Sequence, residues 1–318
     1  MQERHSGMEA SGPPPLTGLY AAAVTPRTDD GTIDMLAFDR VLDLLLAAGV
    51  AGVCLGGATA EYPHASREER MRLIAHTARR IGDRGLLVGI GAAAPTDVVP
   101  LGHAALDAGA RAVLLSMPLF FRYAQDDLEA FCLDTAAAIG GPVLLYDLPA
   151  FTTPLATDTI LRLLSGAPHV IGIKDSSGQA DRLGPIAEAR GDQPWRLMVG
   201  DDAVLIEAIA AGWDGCISGT SGAFPELMLA VLRAAQAHDH AALHRLLPLL
   251  RELFAQQGVF PTPWGIRMGL EARGIPVGPF PLPASPTRVA QRATYLAWAP
   301  DWMERVAAAL GHALVGTR

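Results

Sequence analysis

Two hydrophobic patterns alternate from about residue 19 to residue 237. Short apolar runs lead within a few positions into Gly, Pro, Ser or Thr, which is typical of buried strands that end at a loop. They predict strands over Tyr20–Val24, Gly52–Gly56, Leu86–Ile90, Ala112–Leu115, Val143–Tyr146, Val170–Ile173, Leu197–Val199 and Gly215–Ile217. The longer runs between them are amphipathic and predict helices that include Met35–Ala48, Arg67–Ile81, Asp97–Ala108, Asp126–Ile139 and Asp202–Ala211.

This alternation predicts the fold class. Strands that alternate with helices form parallel sheets, and eight such units within roughly 220 residues favour a closed TIM (β/α)8 barrel over a doubly wound sheet. We place the barrel at residues 19–237. Beyond it the pattern is purely helical, over His240–Gln256, Thr262–Ala272 and Pro286–Leu314. We therefore predict a C-terminal helical segment, residues 238–318, packed on the barrel, and a flexible N-terminal arm over residues 1–18.

Composition excludes several classes of protein. Half of the residues are hydrophobic and 18% are charged, so a large core can form. The net charge of −8 argues against a nucleic-acid surface, which needs clustered basic residues. No apolar run is long enough to span a membrane, and we expect a cytoplasmic protein. Cys54, Cys132 and Cys216 form no CxxC pair, so buried thiols are expected and neither a metal site nor a cofactor is predicted.

Lys174 is the leading catalytic candidate. It follows Ile171, Gly172 and Ile173 at the end of the sixth predicted strand, and barrel enzymes take their catalytic residues from such strand ends. Burial is expected to lower its pKa and leave an amine that can form an imine with a carbonyl. The alternative is a lysine that extends to the surface. Lys174 is the only lysine of the chain, while every other Lys/Arg position is Arg, which favours catalysis.

Two further strand ends carry chemistry of lower specificity. Tyr146 ends the fifth strand next to Lys174, where a phenol could transfer protons to the substrate. The second strand leads into Gly57-Ala58-Thr59-Ala60-Glu61, whose small residues could let backbone N–H groups approach a carboxylate. Taken alone, each segment favours an ordinary structural role, a core tyrosine and a tight turn.

Together these segments resemble the dihydrodipicolinate synthase and N-acetylneuraminate lyase family of class I aldolases. The likeness extends from about Leu16 to Leu282. GATAE at 57–61 resembles the family's GTTGE loop, YDLP at 146–149 its YNVP segment, and GIKDSSG at 172–178 its Schiff-base strand. AAVTP at 22–26, VGDDAVL at 199–205 and GCISGTS at 215–221 resemble further strands in the same order.

The resemblance implies a role for each matching position. Lys174 would form the imine and Tyr146 would transfer protons. The backbone of Ala58 and Thr59 would hold the pyruvyl carboxylate, with Ser176, Gly200, Asp202 and Ile217 around the rest of the substrate. The implied substrates are pyruvate or a related 2-keto acid and an aldehyde, and the implied assembly is a homo-oligomer, a tetramer or dimer.

Departures from the family pattern bear on the substrate. Ala58 replaces a Thr or Ser whose hydroxyl belongs to the family's proton relay. Phe120 replaces the tyrosine that synthases contribute across a dimer interface. Phe151 replaces the arginine that receives the aldehyde substrate's carboxylate, and a phenyl ring cannot replace a guanidinium group. Ala203 replaces the acidic residue of the neuraminate lyases.

Three hypotheses remain at the level of sequence. The main one is cleavage or formation of a 2-keto-3-deoxy sugar acid through the Lys174 imine, with Phe120, Phe121 and Phe151 lining a less polar aldehyde pocket or packing under the loops. The alternative enzyme is a keto-deoxy sugar acid dehydratase or a dihydrodipicolinate synthase-like enzyme. The third is a non-catalytic barrel that binds a keto acid.

Overall fold

Parallel strands form a closed barrel in the computed structural model, which describes residues 16–316. Each strand pairs with its neighbours in chain order, and the first strand closes the barrel by pairing with the eighth. The strands are β1 Gly18–Ala22, β2 Gly52–Leu55, β3 Gly85–Gly89, β4 Ala112–Ser116, β5 Val143–Asp147, β6 Val170–Asp175, β7 Arg196–Val199 and β8 Gly215–Ser218. This is the TIM barrel that the alternation predicts.

Helices surround the barrel and continue beyond it. Those between and after the strands are α1 Met35–Ala48, α2 Arg67–Ile81, α3 Val98–Asp107, α4 Gln125–Ile139, α5 Thr157–Gly166, α6 Ala180–Arg190, α7 Leu205–Ala210 and α8 Pro225–Gln236. The C-terminal helices are α9 His240–Gln257, α10 Trp264–Ala272 and α11 Pro286–Leu310. The α2 helix begins at a capping box between Ser66 and Glu69, and α11 begins with Ser285 as N-cap and Pro286 after it.

The side chains of each strand alternate between two cores, as the pleat of a strand requires. One set points into the barrel, where Tyr20, Cys54, Leu144 and Met198 pack together. The other set faces the surrounding helices and joins the larger core. All three cysteines are buried and free, as their apolar surroundings predict.

Two buried ion pairs attach the C-terminal helices to the barrel. Arg273, at the end of α10, binds the carboxylate of Glu226 on α8 at 2.7 Å. Arg267 on α10 binds Glu61, in the loop after β2, at 2.6 Å. This segment therefore lies over the carboxyl ends of the strands and helps to shape the cavity there.

The predicted domain limits stay predictions. Residues 1–15 of the predicted N-terminal arm lie outside the described residues, while Leu16 is buried and Gly18 opens β1. The boundary at residues 237 and 238 stays a prediction. Within residues 16–316, no helix has the length and apolar character needed to cross a membrane.

Candidate active site

A cavity of about 430 Å³ opens at the carboxyl ends of the barrel strands. Nine of the eleven residues that the sequence suggests for the site line it, namely Lys174, Tyr146, Ala58, Thr59, Ser176, Gly200, Asp202, Ile217 and Phe151. These residues are far apart in the sequence. The barrel brings them together, because the carboxyl ends of its parallel strands meet at one face. No cluster of His, Cys, Asp and Glu among the described residues has the form of a metal site.

Lys174 and Tyr146 are direct neighbours in the sheet. They are paired in register between β5 and β6, so both side chains point into the barrel. The Lys174 Nζ atom lies 4.1 Å from the centre of the Tyr146 ring, and only 4% of Lys174 is exposed. An amine and a phenol are thus held side by side at the bottom of the cavity.

The charge balance at Lys174 differs from the expectation based on burial. Burial is the largest influence and lowers the pKa of Lys174, but Tyr146, Cys54 and Asp202 raise it when they are negative, and the net direction is upward. The predicted lowering was wrong because it considered burial alone. Tyr146 is negative only after losing its own proton. Transfer of a proton from the lysine to this oxygen therefore yields a free amine beside a phenol.

Close packing at Gly200 orients the lysine. A Cβ atom at this position would lie 2.1 Å from the Ser176 Oγ atom and 2.8 Å from the Lys174 Cε atom. Only a glycine leaves space for both side chains. The sequence suggested Gly200 for its contact with substrate, and the structure adds that it makes room for the lysine stem.

The loop after β2 offers backbone donors to an anion. Ala58–Ala60 form a single 3-10 turn that faces the cavity, and the first N–H groups of such a turn precede its internal hydrogen bonds. Glu61 ends the turn with φ of 52°. Its carboxylate accepts from Arg267 and from the Trp264 Nε1 atom, which holds the loop in place.

A second group of buried charges lies behind the strand ends. Asp147 follows Tyr146, Asp175 follows Lys174, and Arg182 of α6 lies between the two carboxylates at 2.9 Å and 3.0 Å. The guanidinium group therefore connects the last residues of β5 and β6. Sequence reasoning missed this triad, because nothing in the spacing of Arg182 from the strand ends indicates the contact.

The distal half of the cavity is largely apolar and comes partly from the C-terminal helices. Phe254, Gln257, Phe260 and Ile266 line it together with Phe151. Lys174 is the only cationic side chain among the described residues that line the cavity. Sequence reasoning also missed the C-terminal contributors, since they follow the barrel in the chain and carry no strand-end signal.

Phe120 does not line the cavity of its own chain. Its ring is 91% exposed, next to Phe121 at 64%, and the two rings meet edge to face at 5.0 Å. Within one chain these two rings therefore neither line the cavity nor pack under the loops, and the role of Phe120 in substrate binding stays a prediction. The loop turns the rings outward, and Phe120 has φ of 75° there.

Comparison with known proteins gives one consistent result. The model of the dihydrodipicolinate synthetase family matches residues 15–297. A 4-hydroxy-tetrahydrodipicolinate synthase of Sorangium cellulosum is 33% identical, over 87% of this chain and 93% of its own length. A synthase of the same name from Streptomyces coelicolor is 35% identical, over 88% of this chain and 91% of its own length.

Solved structures give the same picture. The 4-hydroxy-tetrahydrodipicolinate synthase of Methylacidiphilum fumariolicum SolV superimposes with a TM-score of 0.83 at 27% identity, covering 92% of this chain and 99% of its own. YagE of Escherichia coli K12, a prophage protein of the dihydrodipicolinic acid synthase family solved with pyruvate, gives a TM-score of 0.81 at 26% identity, covering 90% and 98%.

Proposed function

Because the chain belongs to the dihydrodipicolinate synthetase family, a family of class I aldolase-type carbon–carbon lyases, we propose that it binds pyruvate as an imine of Lys174 and joins it to, or releases it from, an aldehyde. The observation that carries this proposal is the buried Lys174 beside Tyr146 in an otherwise cation-free cavity. The pyruvate bound to the related YagE is consistent with it.

Each step can be assigned to a group of the cavity. The Lys174 amine attacks the C2 carbon of pyruvate, while the carboxylate accepts from the N–H groups of Ala58 and Thr59. Tyr146 gives its proton to the C2 oxygen and takes one from the nitrogen, which completes the carbinolamine. A second transfer of the same kind gives the hydroxyl another proton, and water leaves as the C=N bond forms. The imine then withdraws electrons from C3, so a C3 proton can be lost and the enamine can attack an aldehyde carbon.

The names of the relatives favour the synthase-like alternative over the sugar-acid hypothesis. The residues that line the distal half of the cavity indicate, however, a different aldehyde substrate from that of these synthases. Phe151 stands at the position that the resemblance assigns to a carboxylate-binding arginine, and no other cation lines the described cavity. A buried bidentate contact to a carboxylate is strong. We therefore propose an aldehyde partner that is neutral at this end, so that the product belongs to the 2-keto-3-deoxy acid class, and synthesis from aspartate semialdehyde is the second candidate.

Trapping and turnover test these proposals separately. Borohydride with pyruvate is expected to add one reduced pyruvyl group to the wild-type protein and none to Lys174→Arg, and an unmodified wild-type protein would refute the imine. In turnover assays with pyruvate, neutral hydroxyaldehydes are expected to exceed aspartate semialdehyde by roughly a hundredfold in kcat/KM. The opposite order would establish the synthase, loss of water alone would indicate a dehydratase, and trapping without turnover would indicate a binding barrel.

We also propose that the chain forms a homo-oligomer. Phe120 and Phe121 are exposed on a loop of the barrel, and solvent contact with two neighbouring phenyl rings is unfavourable. The resemblance assigns the position of Phe120 to a dimer interface. A second copy would cover these rings. The size of the oligomer and the cytoplasmic location stay predictions.

A further inference from the structure

Two buried hydroxyl groups next to the site have no role in the scheme above. Tyr62 is 5% exposed and Ser116 is 3% exposed. Neither the Tyr62 Oη atom nor the Ser116 Oγ atom has a partner in good hydrogen-bond geometry among the described residues. Buried polar groups are nearly always paired, so two hydroxyls that lie together with unused hydrogen-bonding capacity can stabilise a charge that forms beside them during the reaction.

Ser116 lies beside the catalytic pair. It ends β4 and is paired in register with Tyr146, which is in turn paired with Lys174. Ala112 and Leu114 of the same strand face the barrel interior, so Ser116 faces it as well. The serine hydroxyl, the phenol and the amine therefore follow one another along three adjacent strands.

The Tyr62 hydroxyl reaches the same place from the loop after β2. A Cβ atom on Gly91 would lie 2.0 Å from the Ser116 Oγ atom and 3.2 Å from the Tyr62 Oη atom, so both oxygens meet at this glycine. Burial raises the pKa of Tyr62, contact with Ser116 lowers it, and negative charge on Tyr146 raises it. The Tyr62 hydroxyl therefore lies beside Ser116, and Ser116 is the strand neighbour of Tyr146.

We propose that Tyr62, supported by Ser116, is a positioning residue that donates a hydrogen bond to the Tyr146 oxygen while that oxygen is negative. This inference rests on the proposed imine chemistry. When Tyr146 gives its proton to the C2 oxygen, an O–H bond breaks at Tyr146 and another forms on the substrate. Its negative oxygen then takes a proton from the nitrogen of the carbinolamine, so the proton count is restored. Ala58 has no hydroxyl to stabilise this short-lived phenolate, and the Tyr62 and Ser116 pair supplies one.

The experiment is rapid-quench borohydride trapping with saturating pyruvate, measured from pH 6 to pH 10. Tyr62→Phe is expected to slow imine formation by roughly 10- to 100-fold, the value of one charge-assisted hydrogen bond, with little change in the final yield. The pH profile of the rate should also shift, because the variant lacks a donor that stabilises the negative form of the Tyr146 oxygen. Ser116→Ala should change the same two quantities in the same direction to a smaller extent.

A double-variant comparison separates this role from a structural one. In a Tyr146→Phe background, Tyr62→Phe is expected to cost nothing further, since the oxygen that it serves is gone. Tyr20→Phe is the matched control, because it removes a buried barrel hydroxyl that interacts with Arg111 instead, and it should leave the rate unchanged.

The outcomes distinguish this inference from the proposed function. Absence of trapping in the wild-type protein refutes the imine. Normal wild-type trapping with an unchanged rate and pH profile in Tyr62→Phe and Ser116→Ala overturns the role of the pair. If Tyr62→Phe slows imine formation equally with and without the Tyr146 hydroxyl, the role of the pair is also overturned. If Tyr62→Phe does not fold, Ser116→Ala is judged by the same criteria.

Discussion

Replacing Arg182 with methionine should leave two carboxylates buried without their cation. The side chains of Asp147 and Asp175 are 0% and 1% exposed, and Arg182 is 6% exposed. Each carboxylate would keep one backbone donor. The Leu155 N–H donates to Asp147 at 3.0 Å, and the Ser177 N–H donates to Asp175 at 2.8 Å. Removing one partner of a buried ion pair typically costs about 3–5 kcal/mol. This is a large part of the stability of an ordinary domain, about 5–15 kcal/mol.

The loss should depend on pH in a defined direction. Burial raises the pKa of Asp147, and the positive charge of Arg182 counteracts part of this rise. Without Arg182 the folded-state pKa lies higher still, above the unfolded value of about 4. A group of this kind destabilises the fold as pH rises through its folded pKa. Arg182→Met should therefore be nearer to wild type in mildly acidic buffer than at pH 8.

Urea unfolding at fixed protein concentration, followed by tryptophan fluorescence at pH 5.5 and pH 8, measures this loss. Arg162→Met is the control, since the Arg162 and Glu129 side chains are 51% and 24% exposed and such a pair contributes about 1 kcal/mol or less. A loss below about 1 kcal/mol at pH 8 for Arg182→Met would refute the reasoning. An equal loss at both pH values would refute its electrostatic part.

Three further predictions concern the site and the assembly. Tyr146→Phe should lower kcat by about 10²–10⁴-fold with pyruvate binding retained, and a change within about threefold would assign the proton transfer to another group. Phe151→Arg should raise the preference for aspartate semialdehyde over neutral aldehydes by at least about tenfold, whereas Phe151→Leu should not, and an unchanged ratio would remove position 151 from specificity. Phe120→Asp should lower the mass measured by sedimentation, and an unaltered oligomer would contradict the proposed interface. Leu282→Asp, which also places a carboxylate at an exposed apolar position, is the control.

The alternation of strand and helix patterns along the sequence was sufficient to predict the barrel. The predicted helices Met35–Ala48 and Arg67–Ile81 agree with the structure at both ends, because their apolar spacing and N-terminal caps coincide. Each predicted strand overlaps an observed one, with ends that differ by at most two residues. The predicted family, fold class and enzyme class are confirmed.

The site was predictable where it depends on strand ends and not where it depends on distant packing. Lys174 and Tyr146 each end a strand, so the barrel alone brings them together. Phe254 and Gln257 reach the cavity only because the C-terminal helices fold back over it, which no local pattern encodes. The direction of the Lys174 pKa was missed because burial alone was considered, while Tyr146, Cys54 and Asp202 raise this pKa.

The single lysine at the bottom of the cavity also makes the chain easy to follow by chemical means. A protease specific for lysine can cut the unfolded polypeptide at one bond alone, between Lys174 and Asp175, and needs an unmodified amine to do so. A reduced pyruvyl adduct abolishes that cut. The ratio of intact to cleaved polypeptide therefore counts occupied sites directly on a gel, for any keto acid and without an activity assay. Acylation of a lysine side chain in the native protein reports, in the same way, how readily a reagent enters the cavity.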